Sequence, residues 1–502
     1  MRSDTRPLET FAIRKTDLEK LTSEALRSGG SYCDLFFEST MVSNLMLRDG
    51  EVSSGGLTVD YGCGVRVLEG EKTGYAYSES TDMRSLLEAA RAAGAIAGKD
   101  SFASLGMTKK GLEMTNKLSS RPSNRGPRQL QIGGVKQASG EIPNFYPMQR
   151  DWRTCNPADF VEGLHKLESL IRAKDSRVAK VIALLGYSVS EILMYNSLDE
   201  LTSDLRPMAS LSVQVVYQSK GSVQTKSASR SFRMGVEFFT DELINEVATE
   251  ATAGIDAMFE ARRPAGGQMS VVMGAGASGI LLHEAMGHAF EADFNRKGQS
   301  IFAGKIGQQI CRKGINIVDD GTLPFFRGSC NFDDEGVPGQ KTYMVTDGVL
   351  TSYLHDRISA NYYGVAPTGN GRRESFRYNP IPRMRSTYME NGADGTVEDL
   401  IKMAGNGIYV DEFANGEVKI GEGDFTFYVK SGFLIEDGRL TMPVKDINII
   451  GNGPQALSDI VAVAGDLKVD PGRWTCGKGQ SAPVSCGIPS VLINNLTVGG
   501  GQ

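Results

Sequence analysis

Several features that define common protein classes are scarce or missing in this chain of 502 residues. No stretch approaches the roughly 18 apolar residues of a membrane-spanning helix, and residues 1–7 lack the apolar region of a secretion signal. Lysine and arginine total 54 against 60 acidic residues, and the resulting net charge of −6 argues against nonspecific binding of nucleic acid. We therefore expect neither a membrane nor a nucleic acid as a partner.

Cysteine is also sparse, with seven residues scattered along the chain. An odd number at irregular spacing does not suggest a disulfide framework and fits a reducing compartment, so we expect a cytoplasmic protein. Five of the cysteines are interpreted as small buried hydrophobic residues: Cys33, Cys63, Cys155, Cys311 and Cys330.

Histidine is rarer still, because the chain has four and places two of them in the hexapeptide 283–288. His283 and His288 flank Glu284, and two imidazoles beside a glutamate are the basic components of a hydrolytic zinc site. The preceding residues 269–273 are apolar and lie between glycines, which predicts a buried strand followed by a glycine-rich turn. A strand, a turn and a helix commonly place functional groups at the mouth of a cleft.

The spacing of the two histidines has a geometric consequence. Residues four apart on a helix differ by roughly 40° around its axis, whereas residues five apart, as here, differ by roughly 140°. A regular helix could not bring both imidazoles to one ion. Either a π-turn restores the common face, or the helix loosens at Gly287, so we predict an irregularity at 285–287.

A hydrolytic zinc site normally has three protein ligands, so a third ligand is required. Glu291 and Asp293 are the nearest candidates in sequence. Cys476 is a distant candidate, because Lys478 and the neighbouring glycines would favour its ionisation, and Cys486 competes with it. The residues alone do not decide among these four.

The elements indicate an α+β fold, in which an N-terminal mixed α/β region with antiparallel sheets precedes a β-rich C-terminal domain that carries the metal-binding helix. We predict an N-terminal α+β domain at 1–102, a linker or insertion at 103–156, a central α+β domain at 157–264, and the C-terminal domain at 265–502. The segment 103–156 is rich in serine, glycine, proline and basic residues, so we interpret it as a surface connection.

Turn and cap signals place the individual elements. Thr16 and Glu19 predict a capping box for the first helix, and His165 is expected on a helix surface. The predicted helices span 16–28, 81–96, 157–173, 240–261 and 397–403. The predicted strands are short: 32–38, 41–47, 57–61, 64–68, 73–78, 178–185, 188–195, 210–217 and 221–229. Turns between them are predicted at Asp49-Gly50, Asp347-Gly348, Asn415-Gly416 and Asp437-Gly438.

Several sequence blocks in a fixed order resemble one known family. They are Leu281 to His288, Glu291 with Asp293 to Arg296, Asp333 to Gln340, Pro367 to Ser375, Pro382 to Met384, Thr387 to Met389, and Asn495 to Gly500. On these blocks the chain resembles the TldD/PmbA peptidase family, and within it the TldD-like branch that carries the metal motif. The resemblance is strong from about residue 268 onward and weaker before it.

The resemblance implies a zinc metallopeptidase that cleaves unfolded or short peptides. It implies His283, His288 and Cys476 as zinc ligands and Glu284 as the catalytic acid/base, although the block that begins at Cys476 is one residue shorter than the family form. It also implies a dimer, either with a PmbA/TldE-like paralogue or with a second copy. Candidates for contacting the oxyanion or the peptide are His355, Arg372, Arg373 and Tyr388.

Two other functions are weighed against this one. The chain could be a non-catalytic scaffold or partner subunit with a structural zinc site, in which a fourth protein ligand such as Glu291 closes the coordination sphere. The intact set of two histidines, glutamate and cysteine argues against that. A nucleic-acid regulator is disfavoured by the charge balance.

Overall fold

The computed structural model describes residues 6–98, 143–276, 278–419 and 421–499. Helices and strands alternate unevenly along these ranges, with long strands in the first half and short strands in the second. The helices are α1 (Arg6–Thr10), α2 (Lys15–Leu26), α3 (Met83–Ala97), α4 (Val161–Lys174), α5 (Asp241–Thr252), α6 (Ile255–Glu260), α7 (Gly279–Ala285), α8 (Ala292–Arg296), α9 (Arg357–Tyr363), α10 (Val397–Ala404) and α11 (Gly453–Ser458).

The strands of the first half are β1 (Tyr32–Arg48), β2 (Glu51–Glu69), β3 (Lys72–Ser78), β4 (Val178–Asn196), β5 (Leu201–Ser219) and β6 (Ser222–Phe232). Those of the second half are β7 (Gly267–Met273), β8 (Ile317–Asp320), β9 (Lys341–Thr346), β10 (Val349–Leu350), β11 (Gly371–Arg372), β12 (Ile381–Pro382), β13 (Ser386–Met389), β14 (Gly407–Val418), β15 (Asp424–Glu436), β16 (Arg439–Pro443), β17 (Asn448–Asn452), β18 (Ile460–Val463), β19 (Lys468–Val469), β20 (Thr475–Gly477), β21 (Ser481–Pro483), β22 (Ser485–Ile488) and β23 (Val491–Gly499).

The six strands of the first half form one antiparallel sheet in the order β3-β2-β1-β4-β5-β6. The strands β1 and β4 pair from Asp34 opposite Asn196 to Arg48 opposite Ile182. Helices α2 and α3 cover one half of the sheet and α4 and α5 the other half, each around its own apolar core. The α+β character predicted for this region is confirmed, and the two predicted units share a sheet.

The predicted short strands of this region merge into longer ones, so their predicted ends are wrong. β1 has 17 residues and β2, β4 and β5 have 19 each. The predicted breaks fall at Ser39-Thr40, Gly62-Cys63 and Gly186-Tyr187, where the backbone pairs with neighbouring strands and the strands continue. Side chains add to this pairing at one break, since the Thr40 hydroxyl donates to Ser190 Oγ at 2.8 Å across the β1–β4 pair.

Two helix predictions need correction. The helix α2 is capped by Arg14 with Asp17, rather than by Thr16 with Glu19. The helix predicted at 240–261 divides into α5 and α6, because Gly254 takes a left-handed φ of 68° between them. The helices predicted at 81–96 and 397–403 are confirmed as α3 and α10, and His165 is exposed on α4.

Only the last part of the predicted connection 103–156 is described, because residues 103–142 lie outside the described ranges. Most residues of the described part, 143–156, are exposed or half-buried, and two aromatic residues anchor it to the first sheet. Trp152 is fully buried and stacks on Tyr187 with ring centroids 4.3 Å apart. Tyr146 is buried as well, and its hydroxyl donates to Asp204 at 2.6 Å.

The second half is rich in β-structure, as predicted. Strands β14, β7, β23, β17 and β15 pair in that order, and β14 also pairs with β15, so the five strands close on themselves. A second sheet has the order β10-β9-β8-β13-β22-β19. The helix α7 lies between the two layers, since Leu281 and Met286 share a core with Val271 of the closed sheet and Ile317 of the second. This core fixes the histidine helix at the centre of the domain.

Three of the four predicted Asp/Asn-Gly turns are confirmed. At Asp49-Gly50, Asp347-Gly348 and Asp437-Gly438 both residues have positive φ between antiparallel strands, as two-residue hairpins require. Asn415-Gly416 is not a turn. It lies within β14 opposite Tyr428 and Phe427, where irregular register accommodates it.

The described part of the chain contains no helix that is long and apolar enough to cross a membrane.

Candidate metal centre

The first histidine of the candidate site is positioned by a strand, a glycine turn and a short helix. After β7 the backbone of Gly276 takes a φ of 95°, and α7 then begins at Gly279. A Cβ at Gly279 would lie 2.7–2.9 Å from backbone atoms of Gly487 in β22, so close packing of helix on strand requires glycine. His283, one turn into α7, is 1% exposed.

The predicted irregularity at 285–287 is confirmed, in the form of a helix end rather than a π-turn. Met286 leaves helical geometry with φ −132° and ψ −42°, and Gly287–Phe290 form a 3₁₀ turn. Glycine is required at Gly287 because a Cβ would lie 2.2 Å from Met384 Sδ. The break brings the two imidazole rings to 5.3 Å between centroids at an angle of 80°.

A hairpin near the C-terminal end of the described chain delivers the third donor. Cys476 lies in β20, which pairs with β21, and its Sγ is 3.1 Å from His288 Nε2. The ligand atoms of His283, His288 and Cys476 all lie within 4.8 Å of one another. Within the described ranges, no other group of three or more His, Cys, Asp or Glu side chains is arranged to hold a metal.

Glu284 lies at the edge of this cluster. Its carboxylate oxygens are 4.0 Å from His283 Nε2 and 3.8 Å from His288 Nε2. The side chain is 24% exposed, whereas the three donors are buried. The carboxylate therefore faces both the cluster and the approach from solvent.

Glu291 lies behind His288 rather than among the donors. Its Oε2 is 2.9 Å from Nδ1 of His288, the ring nitrogen opposite the one that faces Cys476. A carboxylate in this position accepts a hydrogen bond from Nδ1–H and leaves the Nε2 lone pair for a metal. Glu291 thus orients His288 from the side of the ring away from Cys476, and this geometry does not place Glu291 among the candidate donors.

A lysine holds Glu291 in its ionised form. Lys478 Nζ lies 3.0 Å from Glu291 and 2.7 Å from Asp293, and it also stands 4.1 Å from the centroid of the Phe294 ring. Burial alone would raise the pKa of Glu291, but Lys478 and His288 lower it to about 2. Asp293, a candidate ligand by proximity, therefore pairs with the lysine.

Arg383 fixes the cysteine hairpin. It is 1% exposed, and its guanidinium donates to the carbonyl oxygens of Cys476 and Gln480, both at 2.7 Å. Its Nε lies 3.8 Å from Glu291. One arginine thus links the loop that carries the thiol to the carboxylate that orients His288.

The thiol of Cys476 is strongly acidic in this setting. Burial would raise its pKa, but His283 and His288 lower it to about 4. Lys478, the cause we expected from the sequence, contacts the two carboxylates instead. Burial dominates at Cys486 and raises its pKa, even though it also lies near His283. The two cysteines therefore differ in charge, and Cys476 has the character of a ligand.

The residues present fit a bound metal ion. His283 is almost fully buried, yet neither of its ring nitrogens has a hydrogen-bond partner among the described residues. A buried polar group without a partner is costly unless something outside the chain satisfies it. Two imidazoles and a thiolate, both borderline or soft donors, suit zinc better than calcium or magnesium.

The two arginines predicted to grip substrate are engaged elsewhere. Arg372 donates to the carbonyl oxygens of Met384 and Pro483. Arg373 donates to the carbonyl oxygen of Asp334 and lies 4.2 Å from the centroid of the Phe36 ring. These side-chain contacts do not reach the metal donors, and the substrate-binding role of both residues stays a prediction.

The other two candidates differ from each other. Tyr388 donates its hydroxyl to Asp320 at 3.0 Å. His355 is buried, which lowers its pKa to about 4, and its Nδ1 has no partner among the described residues. The residue before it pairs with Glu291 through a backbone bridge. His355 therefore retains a ring nitrogen without a partner in the described chain and lies next to a residue that bridges to Glu291. Its role also stays a prediction.

Sequence reasoning did not identify the roles of Glu291, Lys478 and Arg383. The spacing of three between His288 and Glu291 was available as a signal, since it allows a carboxylate to reach the preceding imidazole on a turn. Nothing in the sequence indicated that Arg383 contacts the backbone of a hairpin about 90 residues later.

Comparison with known proteins identifies the class of protein that this fold and site define. Models of the PmbA/TldA metallopeptidase family match three parts of the chain: domain 1 at residues 33–97, the central domain at 150–258, and the C-terminal domain at 266–500. The chain belongs to the PmbA/TldD metallopeptidase family.

Individual relatives agree with this assignment. A metalloprotease TldD homolog of Haemophilus influenzae is 37% identical over 93% of both chains. A second TldD homolog, from Buchnera aphidicola, is 34% identical over 96% of this chain and 95% of its own, and a metalloprotease of Methanothermobacter thermautotrophicus is 31% identical over 93% and 95%.

Solved structures show the same fold at lower identity. A candidate modulator of a DNA gyrase from Thermotoga maritima superimposes with a TM-score of 0.72 at 21% identity, over 97% of this chain and 100% of its own. TldE from Thermococcus kodakarensis superimposes with a TM-score of 0.70 at 20% identity, over 96% and 100%. At such identities the likeness concerns the fold alone.

Proposed function

We propose that this protein is a zinc-dependent peptidase that hydrolyses unfolded or short peptides, with Glu284 as general acid/base. The observation that carries the proposal is the position of Glu284. Its carboxylate lies within 4.0 Å of a ring nitrogen of both histidines, on the accessible side of an otherwise buried group of three donors. Three donors beside an accessible carboxylate are typical of catalytic zinc sites rather than structural ones.

His283, His288 and Cys476 would hold the metal. When bound, the ion supplies a Lewis acid that polarises the scissile carbonyl and makes water a better nucleophile near neutral pH. Glu284 accepts the proton of the attacking water on its carboxylate and delivers it to the leaving amine. Glu291 keeps His288 in the tautomer with a free Nε2, and Lys478 keeps Glu291 ionised.

The substrate and the partner follow from separate observations. Exposed apolar residues on the first sheet, among them Val52, Leu57 and Val59 at 51–62% exposure, support a dimer with a TldE-like paralogue or a second copy. An extended peptide could add as a strand to a sheet edge, which suits a sequence-tolerant peptidase.

Seven unpaired cysteines support a cytoplasmic location. We also keep the division into parts at 1–102, 103–156, 157–264 and 265–502 as a proposal.

A non-catalytic scaffold with a structural zinc site remains the alternative. It requires a fourth protein ligand, and Glu291 was the best candidate. The contact of Glu291 with the far nitrogen of His288 argues against that ligand set.

The experiment that tests the proposal is hydrolysis of an unstructured peptide by the purified protein, with metal content measured on the same samples. The variant Glu284→Gln should retain one equivalent of zinc and lose activity by about 10²–10⁴-fold, the usual contribution of a general acid/base. Glu422→Gln is a matched control, because Glu422 is exposed and, within the described ranges, forms an ion pair with Lys419 alone. Zinc without turnover in the wild-type protein, even with a paralogous partner added, would favour the structural site.

A further inference from the structure

A cavity of about 310 Å³ lies between the first sheet and the C-terminal domain. The hairpin of β20 and β21 forms part of its wall through Thr475 and Ser481 to Pro483. Cys476 follows Thr475 in the strand, and successive side chains of a strand point to opposite faces. Thr475, Ser481 and Pro483 lie on the opposite face of the hairpin from Cys476 and its partner Ala482, so the cavity borders the hairpin mainly on the side away from the thiol.

The charge of the cavity lining is strongly unbalanced. Seven arginines line it, against the three carboxylates of Glu38, Asp334 and Glu374. Of these arginines, Arg206 and Arg373 form ion pairs. The other five form no ion pair with any described residue: Arg233, Arg327, Arg372, Arg385 and Arg473.

The three carboxylates of the lining are already engaged. Asp334 accepts from Arg206 and from the backbone of Arg373. Glu38 accepts from the hydroxyl of Thr40 and the backbone of Phe376, while Glu374 accepts from a backbone N–H. None of the three carboxylates forms an ion pair with the five remaining arginines.

Four of these five arginines are buried, with 4–7% of their surface exposed. Arg327 and Arg372 donate only to neutral acceptors, chiefly backbone carbonyls. Arg233 donates through Nε alone, to the carbonyl of Arg327, and leaves both terminal nitrogens without a partner in the described chain. Burial, together with Arg233 and Arg473, lowers the pKa of Arg327 to about 9, which reflects mutual repulsion within the group.

A buried positive charge without an ion pair is expensive, and arginine does not readily remove the cost by losing its proton. Planar guanidinium groups match the geometry of carboxylate and phosphate oxygens. We propose that this cavity is a binding site for a small anion that carries two or more carboxylate or phosphate groups. Arg233 and Arg473 supply free donors, while Arg327 and Arg372 supply charge from fixed positions.

The same arginines connect the cavity to the metal-bearing hairpin. Arg327 donates to the carbonyl of Trp474 and Arg372 to that of Pro483, on either side of the β20–β21 pair. An anion bound between these guanidinium groups offsets their mutual repulsion and therefore steadies the loop that carries Cys476. The site does not depend on the peptidase function.

Calorimetric titration of the full-length, metal-loaded protein tests the proposal at low ionic strength. The probes are citrate, inorganic pyrophosphate and a blocked penta-glutamate peptide. At least one should bind saturably with one site per chain. Binding of the peptide but not citrate identifies an acidic peptide segment as the ligand, and the reverse identifies a free small anion. Failure of all three to bind would overturn the proposal.

Two variants and a control locate the binding. Arg233→Met and Arg473→Met should each lower affinity for the bound probe on the order of tenfold or more, since each removes a charged hydrogen-bond donor. Arg84→Met removes the same charge from an exposed helix position and should leave the affinity unchanged. Because Arg473 is exposed, its replacement should not impair folding even if that of Arg233 does. Affinity unchanged in Arg473→Met and in folded Arg233→Met would contradict the site.

Discussion

The two faces of the Cys476 hairpin differ in whether their charged side chains have partners of opposite charge. On one face, each ionised side chain has an opposite charge nearby: Glu291 with Lys478 and His288, and the thiol with two imidazoles. On the other face, five arginines line a cavity without an ion pair in the described chain. Both faces have unsatisfied polar groups: the first presents ring nitrogens that can bind a metal once they lose their protons, and the second presents free N–H donors.

This difference indicates what each face can receive. Buried donors of electron pairs, held in position by charges behind them, suit a cation. Buried guanidinium groups without carboxylates suit an anion. The hairpin that separates the two faces belongs to both, because Arg383 and Arg372 hold its backbone from different sides.

The largest expected effect is a difference in zinc affinity between variants of Cys476 and Cys486. Cys476→Ala should weaken zinc binding by roughly 10²–10³-fold, since structural zinc sites gain about 10–16 kcal/mol from four ligands. Cys486→Ala is the matched control, because Cys486 is buried beside His283 but burial keeps its thiol neutral. Competition with a chromophoric chelator measures both affinities. Equal losses in the two variants would mean that the assignment of the third ligand is wrong.

A smaller loss of zinc affinity is expected when the carboxylate that orients His288 is removed. Glu291→Gln should reduce zinc affinity by about 10–100-fold, the usual result of removing a carboxylate that orients a histidine ligand. The ligand set stays intact, so the metal should still bind with one equivalent at saturation. The same chelator competition measures it, and an affinity as low as that of Cys476→Ala would show Glu291 to be a ligand.

The smallest expected effect is the release of protons when zinc binds. Burial opposes protonation of His283, but the ionised Cys476 outweighs it and raises the pKa of His283; Glu291 and Cys476 likewise raise the pKa of His288 to about 9. In the metal-free protein at neutral pH both imidazoles are therefore protonated, while the thiol of Cys476 is already ionised. Zinc binding should release about two protons, and affinity should rise with pH at least as far as the pKa of His288, about 9.

Calorimetry in buffers of different ionisation enthalpy counts these protons. In Glu291→Gln the count should fall toward one, because His288 loses the carboxylate that raises its pKa. A count of one in the wild-type protein would instead describe neutral imidazoles and a protonated thiol, which contradicts the charges derived for this face.

The sequence predicted the features that depend on local geometry. The spacing of His283 and His288 required a break, which the structure has at Met286, and Asp-Gly pairs predicted turns wherever both residues could take positive φ. The predicted division of the long strands of the first sheet is wrong, because the backbone at the predicted breaks pairs with neighbouring strands that sequence periodicity does not show.

The parts that could not be predicted depend on contacts between distant segments. Cys476 was chosen over Cys486 only through the family resemblance, since both cysteines precede glycine and the distinction between them lies in which imidazoles they face. The arginine-lined cavity combines residues from 206 to 473, and no local pattern marks which arginines will lack a carboxylate.

X-ray absorption at the zinc edge tests the central claim most directly, namely that three donors hold the metal and leave one position open. The account predicts one sulfur at about 2.3 Å, two imidazole nitrogens at about 2.0–2.1 Å and one further light atom that exchanges with added ligand. Two sulfurs, or four protein ligands with no exchangeable position, would contradict it.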